Sequence, residues 1–306
     1  MKNYILTITL LLFLISCGKN EKQIEPEKLQ DTIADNPKET EIKEVEIPIY
    51  NYEKDSDFSK ELDLVLLAKV ASNLGIKYED VKIDETGSVN YDDKTSFFVI
   101  TYIAEKWKPG DENWDENDGD FIERMYVFVN KSSGKILDKE IDKNLCVYEH
   151  EGLEVYTTYI FKKLIQLNET TNGIGLSTEL GISSRVVLSA DQKFTIITLV
   201  DNKIKKILYE YPIRKVGGDS NGGGSFEKES LETSISISKK KTNGFFDLNV
   251  VKTFSHEEEV EEDLEEGIKG KVAPIKIKKE SERIQYNGKI YSFKIDDKYR
   301  FLKKYN

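Results

Sequence analysis

The chain of 306 residues carries 45 Lys+Arg against 56 Asp+Glu, a formal charge of −11, and this balance disfavours nucleic acid and anionic lipid surfaces as partners. Only five basic residues are arginines (Arg124, Arg185, Arg214, Arg283 and Arg300), so no guanidinium cluster suggests a phosphate site. The 38% hydrophobic content, with 16 Tyr and 14 Phe, is enough for a sizeable core in one large or two modest domains.

Residues 1–16 read as an export signal: Lys2 gives a positive start, and Tyr4 to Ile15 form an apolar run too short to span a bilayer. The junction Leu14-Ile15-Ser16-Cys17, followed by Gly18, resembles the lipobox of bacterial lipoproteins. That resemblance implies cleavage by a type II signal peptidase before Cys17, a diacylglycerol on its thiol and often a third acyl chain on its new amino group. One chain holds a protein only marginally, so two or three make the attachment to the lipid bilayer long-lived. Gly18 rather than Asp implies, in the same family, sorting to the outer membrane of a Gram-negative envelope. Residues 17–46 are then the lipidated cysteine and a tether rich in Glu, Lys, Gln, Asn, Pro and Thr, which cannot bury enough apolar surface to order itself. As a flexible coil, such a tether reaches about 30 Å.

The remaining residues, 47–306, read as a mainly β fold with α+β character at its N-terminal end: antiparallel, meander or sandwich-like sheets and one helix near 58–74. Asp57 or Ser59 can cap that helix, Leu62, Val65, Leu66, Lys69, Val70 and Asn73 follow its period, and Leu74-Gly75 closes it. The additional Leu64 and Leu67 suggest burial on more than one side. Ser96 to Ala104 is a β-branched and aromatic strand, and Phe121 to Val129 pairs with Lys135 to Ile141 across a turn at 130–134. Arg185 to Leu188, Lys193 to Val200 and Lys203 to Tyr211 continue the meander, with turns expected at Ala190-Asp191 and Asp201-Asn202.

Gly217 to Ser225 reads as a flexible loop and a boundary between two sub-domains. Beyond it, Leu231, Thr233, Ile235 and Ile237 alternate with polar residues as a half-buried strand. Asn243-Gly244 and Asn287-Gly288 are type I′ hairpin signals, the second between Arg283 to Tyr286 and Lys289 to Ile295, and His256 to Glu266 reads as a solvated acidic loop or short helix. Asn243 to Val251 and Tyr286 to Tyr291 resemble strand pairs of exported FG-GAP-type repeat proteins. Where that family carries an Asp-rich calcium loop, this chain has Lys239-Lys240-Lys241.

Chemistry-bearing residues are sparse. Cys146 is the sole cysteine beyond Cys17, so the mature chain has no intramolecular disulfide, and its apolar neighbours suggest a buried inert thiol. The two histidines, His150 and His256, lack zinc-site spacing; the first reads as turn-exposed and the second as solvated. Gly181 to Arg185 and Gly175 to Glu179 lack the second glycine of a nucleophile elbow. The stretch from Glu105 to Asp120 stands out because it holds both tryptophans, Trp107 and Trp114, and many carboxylates. It reads as an acidic hairpin loop with Trp107 packed on the sheet. Asp111, Asp115, Asp118 and Asp120 are candidate calcium ligands, since several hard oxygens from one loop suit Ca²⁺, although the spacing is not that of an EF-hand. Exposed Trp also suits sugar or protein recognition. No catalytic residue is assigned. The functional expectation is a membrane-anchored envelope lipoprotein that binds a protein or glycan without catalysis, in an inhibitor or immunity-like role. A carboxylate-based envelope hydrolase and a ligand-free scaffold are the alternatives.

Overall fold

The computed structural model describes residues 47–50, 58–59, 62–108, 118–150, 157–181, 187–262 and 269–306. Strand β1 (Ile47–Tyr50) and helix α1 (Leu64–Leu74) precede five strands of a first antiparallel sheet: β2 (Gly87–Asn90), β3 (Thr95–Glu105), β4 (Asp118–Asn130), β5 (Ile136–Ile141) and β6 (Val147–His150). A second sheet takes in β1 and the later strands β7 (Thr157–Ile160), β8 (Ile165–Gln166), β9 (Asn172–Gly181), β10 (Val187–Val200), β11 (Lys203–Ser220), β12 (Phe226–Thr242), β13 (Phe245–Val260), β14 (Lys271–Val272) and β15 (Lys276–Ile284). Every paired strand runs antiparallel to its neighbour, so the fold is mainly β with one helix near its N-terminal end.

The unbroken apolar run of β3 follows from burial on both faces. Phe98, Ile100 and Tyr102 pack with Leu66, Leu67, Val70 and Ala71 of α1. Phe97 and Val99 point the other way, joining Tyr126, Phe128, Ile174, Leu176 and Ile197 in a core between the two sheets. The order is therefore helix, small sheet, large sheet. Ile196, one residue from Ile197, faces a third core with Leu208, Tyr211, Ile235, Leu248 and Tyr291. Around that core the large sheet curls until the Phe246 N–H donates to the Leu167 carbonyl at 2.8 Å, and Tyr291 reaches across to donate to the Phe246 carbonyl at 2.6 Å.

Several elements differ from the sequence expectation. The helix begins at Leu64 with Asp63 as its cap, not Asp57 or Ser59, because the Asp63 side chain accepts from the Leu66 N–H at 2.9 Å. It buries Leu66, Leu67, Val70 and Ala71, which leaves Val65 and Leu64 outward; Gly75 closes it in the left-handed region, as expected. No turn interrupts Ala190-Asp191, since β10 is continuous there and pairs with β9 and β11 on both sides. The Gly217 to Ser225 segment is not a flexible loop: Gly217 and Gly218 lie within β11, paired with Glu229 and Lys228, and residues 221–225 make the turn into β12. Glu44–Asn306 forms one compact unit.

The Asp201-Asn202 and Asn243-Gly244 turns hold both central residues at positive φ, as type I′ hairpins require. Asn287-Gly288 instead lies in a wider turn that ends in a single bridge between Tyr286 and Tyr291, and no strand follows over 289–295. Residues 256–260 belong to β13, and residues 263–266 lie outside the described residues. β15 has one strand neighbour among the described strands, β13, and its first four residues are exposed.

Candidate functional site

Where the small sheet leans on the large one, a cleft of about 290 Å³ opens between Tyr126, Asp142, Asn144, Thr178, Asp191, Lys193, Thr195, Tyr209 and Glu210. Its two walls come from different layers. Tyr126 lies on β4, and the turn after β5 supplies Asp142 and Asn144; the large sheet supplies the rest from β9, β10 and β11.

Asp142 forms the floor and is 2% exposed. Its Oδ1 accepts from the Tyr209 hydroxyl at 3.1 Å and from the Asn144 N–H at 3.3 Å, and its Oδ2 pairs with Lys206 Nζ at 3.1 Å. Lys206 also meets Glu140 at 3.0 Å and stands over the rings of Tyr126 and Tyr209. Burial, with Asp142 beside them, pushes both phenols far above the usual tyrosine range, so they stay protonated. Beneath the floor, Arg124 is almost fully buried and donates to Thr101 and Thr158 at 3.0 and 3.1 Å, with Glu85 Oε2 at 3.4 Å.

The rim is set by a bulge. Between the pairs Phe194↔Tyr211 and Ile196↔Leu208, β11 carries one residue more than β10. This throws Glu210 into the left-handed region at φ 53°, where a non-glycine residue is strained, and its N–H donates to the Thr195 hydroxyl at 3.1 Å. Strained residues persist where the surroundings over-determine them, and such places cluster at ligand sites. Glu210 accepts from Asn144 Nδ2 at 3.3 Å. Burial raises the Asp191 carboxyl above its ordinary range.

The residues singled out by sequence lie elsewhere. Trp107 follows β3; its side chain is 39% exposed rather than packed, and its backbone N–H donates to Asp120 Oδ1 at 2.8 Å. Asp118 opens β4, while Asp111, Trp114 and Asp115 lie outside the described residues, as do Cys17 and the whole of 1–46. Two histidine readings are corrected. His150 ends strand β6 instead of a turn, and His256 is 4% exposed, with Nε2 at 3.1 Å from Glu227, because β13 continues through it and Phe301 covers it. Cys146 is half-buried, and burial raises its thiol, as an inert cysteine requires.

The sequence marks none of the cleft residues for chemistry, since they come from distant strands without a spacing motif. Fold and cleft together define a helix-backed, two-sheet antiparallel β protein with a polar recess at the seam. No protein-family model, curated protein or solved structure matches the chain.

Proposed function

We propose that the mature protein is an envelope lipoprotein, held on the bilayer by acylated Cys17, that binds an envelope protein or glycan without catalysis, the seam cleft receiving one residue-sized polar group of that partner. The observation that carries this reading is pre-organisation: the cleft floor is fixed by the Asp142 network and its rim by the strained Glu210, so little order has to be imposed on binding. The mixed lining of tyrosine, amide, threonine and carboxylate offers convergent polar groups on a rigid scaffold. Outer-membrane sorting through Gly18 belongs to the same proposal.

Two experiments test it. Labelled palmitate should enter the wild-type protein and not Cys17→Ala; a wild-type protein that takes up no label and partitions into water would remove the anchor. Pull-down from envelope extract should enrich one partner, and Asn144→Trp, which fills the cleft from an exposed position, should abolish that capture at an unchanged unfolding midpoint. Capture that survives the tryptophan places binding elsewhere.

A carboxylate hydrolase is the second reading, favoured by Asp191, whose burial raises its carboxyl as a general acid needs, with Glu210 as the other carboxylate. Product released from a glycan or peptide panel by the wild type, and lost in Asp191→Asn, would decide for it.

A further inference from the structure

We infer that the edge formed by β14 and β15 takes up an extended acidic segment of a partner protein as an added strand. The inference goes beyond the cleft and does not depend on it. In a protein of net charge −11, the run Lys269-Gly270-Lys271-Val272-Ala273-Pro274-Ile275-Lys276-Ile277-Lys278-Lys279 holds five lysines and no carboxylate. Val272, Ile275 and Ile277 are 75%, 60% and 61% exposed. Scattered exposed apolar residues are ordinary, whereas these three lie within one short run, set among lysines, and form a patch that suits a protein partner. Lys271 meets Glu258 at 3.7 Å and Lys278 meets Glu280 at 2.8 Å, while Lys276 and Lys279 have no carboxylate partner among the described residues.

The backbone supplies a second, independent feature. β14 and β15 pair with β13 and with no other described strand, from Val260↔Lys271 to Leu248↔Ile284. Along such a strand, alternate N–H and C=O groups face away from the one neighbour, at the spacing an added strand would match. The side chains alternate too: Ile277 and Lys279 stand on one face of the sheet, Lys276 and Lys278 on the other. A flat anionic bilayer meets one face at a time, but a strand laid along the edge meets both. Its amides then supply affinity and its side chains selectivity. An apolar residue opposite Ile277, with carboxylates on either side of it, covers the isoleucine and answers the two unmatched lysines. A basic segment would instead set like charges opposite each other.

The test titrates the full chain, in detergent micelles, with the peptide acetyl-Thr-Glu-Glu-Val-Glu-Glu-Thr-amide, whose pattern reads alike in both directions, and follows the heat. The wild type is expected to bind it. A peptide with Lys in place of every Glu should not bind, and neither should the acidic peptide N-methylated at alternate amides, which has lost the donors that pair with the edge. Charge reversal by Lys276→Glu together with Lys279→Glu should weaken the acidic peptide about tenfold and let the lysine peptide bind. Should that double variant fail to fold, the N-methylated peptide on the wild type still decides. Equal binding of the N-methylated peptide, indifference to the charge reversal, or no heat at all would each overturn the inference. So would phosphatidylglycerol vesicles that bind the wild type and not the double variant while the peptide gives no heat, which would assign the edge to a lipid surface. Asn144→Trp should leave the peptide affinity unchanged; its loss would put the peptide in the cleft and overturn the edge assignment.

Discussion

Asp142 shows how one buried carboxylate ties the two layers together. Lys206 and Tyr209 on β11 both reach across to it from the large sheet, so removing it leaves an ammonium and a phenol without the acceptor they share. Asp142→Ala is expected to cost about 2 kcal/mol, read as a lower urea midpoint at unchanged slope. A loss below about 0.5 kcal/mol would mean that Lys206 re-pairs fully with Glu140 and that the network adds little. Little of this was legible from the chain. Tryptophans and carboxylates crowd residues 105–120 and attract attention because they are neighbours in sequence, whereas Asp142, Asp191 and Glu210 become neighbours only through strand pairing. The one local signal was Glu210 itself, a charged residue between Tyr209 and Tyr211 in mid-strand, where a bulge breaks the period-two pattern.

At the scale of elements, the β11–β12 hairpin separates two meanings of glycine. Gly217 and Gly218 look like linker residues because neither has a side chain to show alternation, yet both are required by close approach. A Cβ on Gly218 would overlap the Glu227 carbonyl, and one on Gly217 would overlap the Tyr299 hydroxyl. Gly223, in the turn, has room for a Cβ, with no atom nearer than 3.6 Å. Gly218→Ala should therefore lower stability by about 2 kcal/mol while Gly223→Ala is nearly neutral, a difference thermal melts will show. Equal, small effects would return the segment to a connector. The helix illustrates the opposite case: its Gly75 stop was readable from local chemistry, but its buried face was not. Apolar residues at 62, 64, 65, 66, 67, 70 and 71 surround the helix, and only the partner strand decides which of them it covers.

At the scale of the whole molecule, one acid-sensitive set of pairs pins residues 296–306 to the large sheet. The hydrogen bonds from Arg300 at 2.8 Å, and from Lys278, hold the Glu280 carboxyl down to about 2 from an ordinary 4.5. A carboxyl lowered in the folded state contributes stability that is fully present above about pH 4.5 and is lost as pH falls toward about 2. Glu227, lowered by His256 and then by Lys304, loses its contribution in the same direction. Both sites are partly exposed to solvent, so the effect is local and modest. Glu229, by contrast, is fully buried and accepts the N–H groups of Arg300, Phe301 and Leu302 at 2.5, 2.8 and 2.6 Å. Hydrogen exchange between pH 4.5 and 2 should show those three amides losing protection before the β3–β4 pairs. Simultaneous loss across the molecule would sink the idea that these contacts form a separable acid-sensitive patch.

The exposed strand β15 matters differently for a protein crowded on a surface. Copies tethered to one membrane face, as proposed, meet edge to edge at an effective concentration far above that in solution. A strand with one strand neighbour among the described strands and an exposed Ile277 would, in those conditions, invite strand addition between copies. Lys276, Lys278 and Lys279 stand on that same strand, so parallel in-register self-pairing, or antiparallel pairing centred between Ile277 and Lys278, would bring lysine against lysine. In a membrane-tethered population, as proposed, those lysines would hold neighbouring copies apart in such pairings rather than let them zip into a continuous sheet.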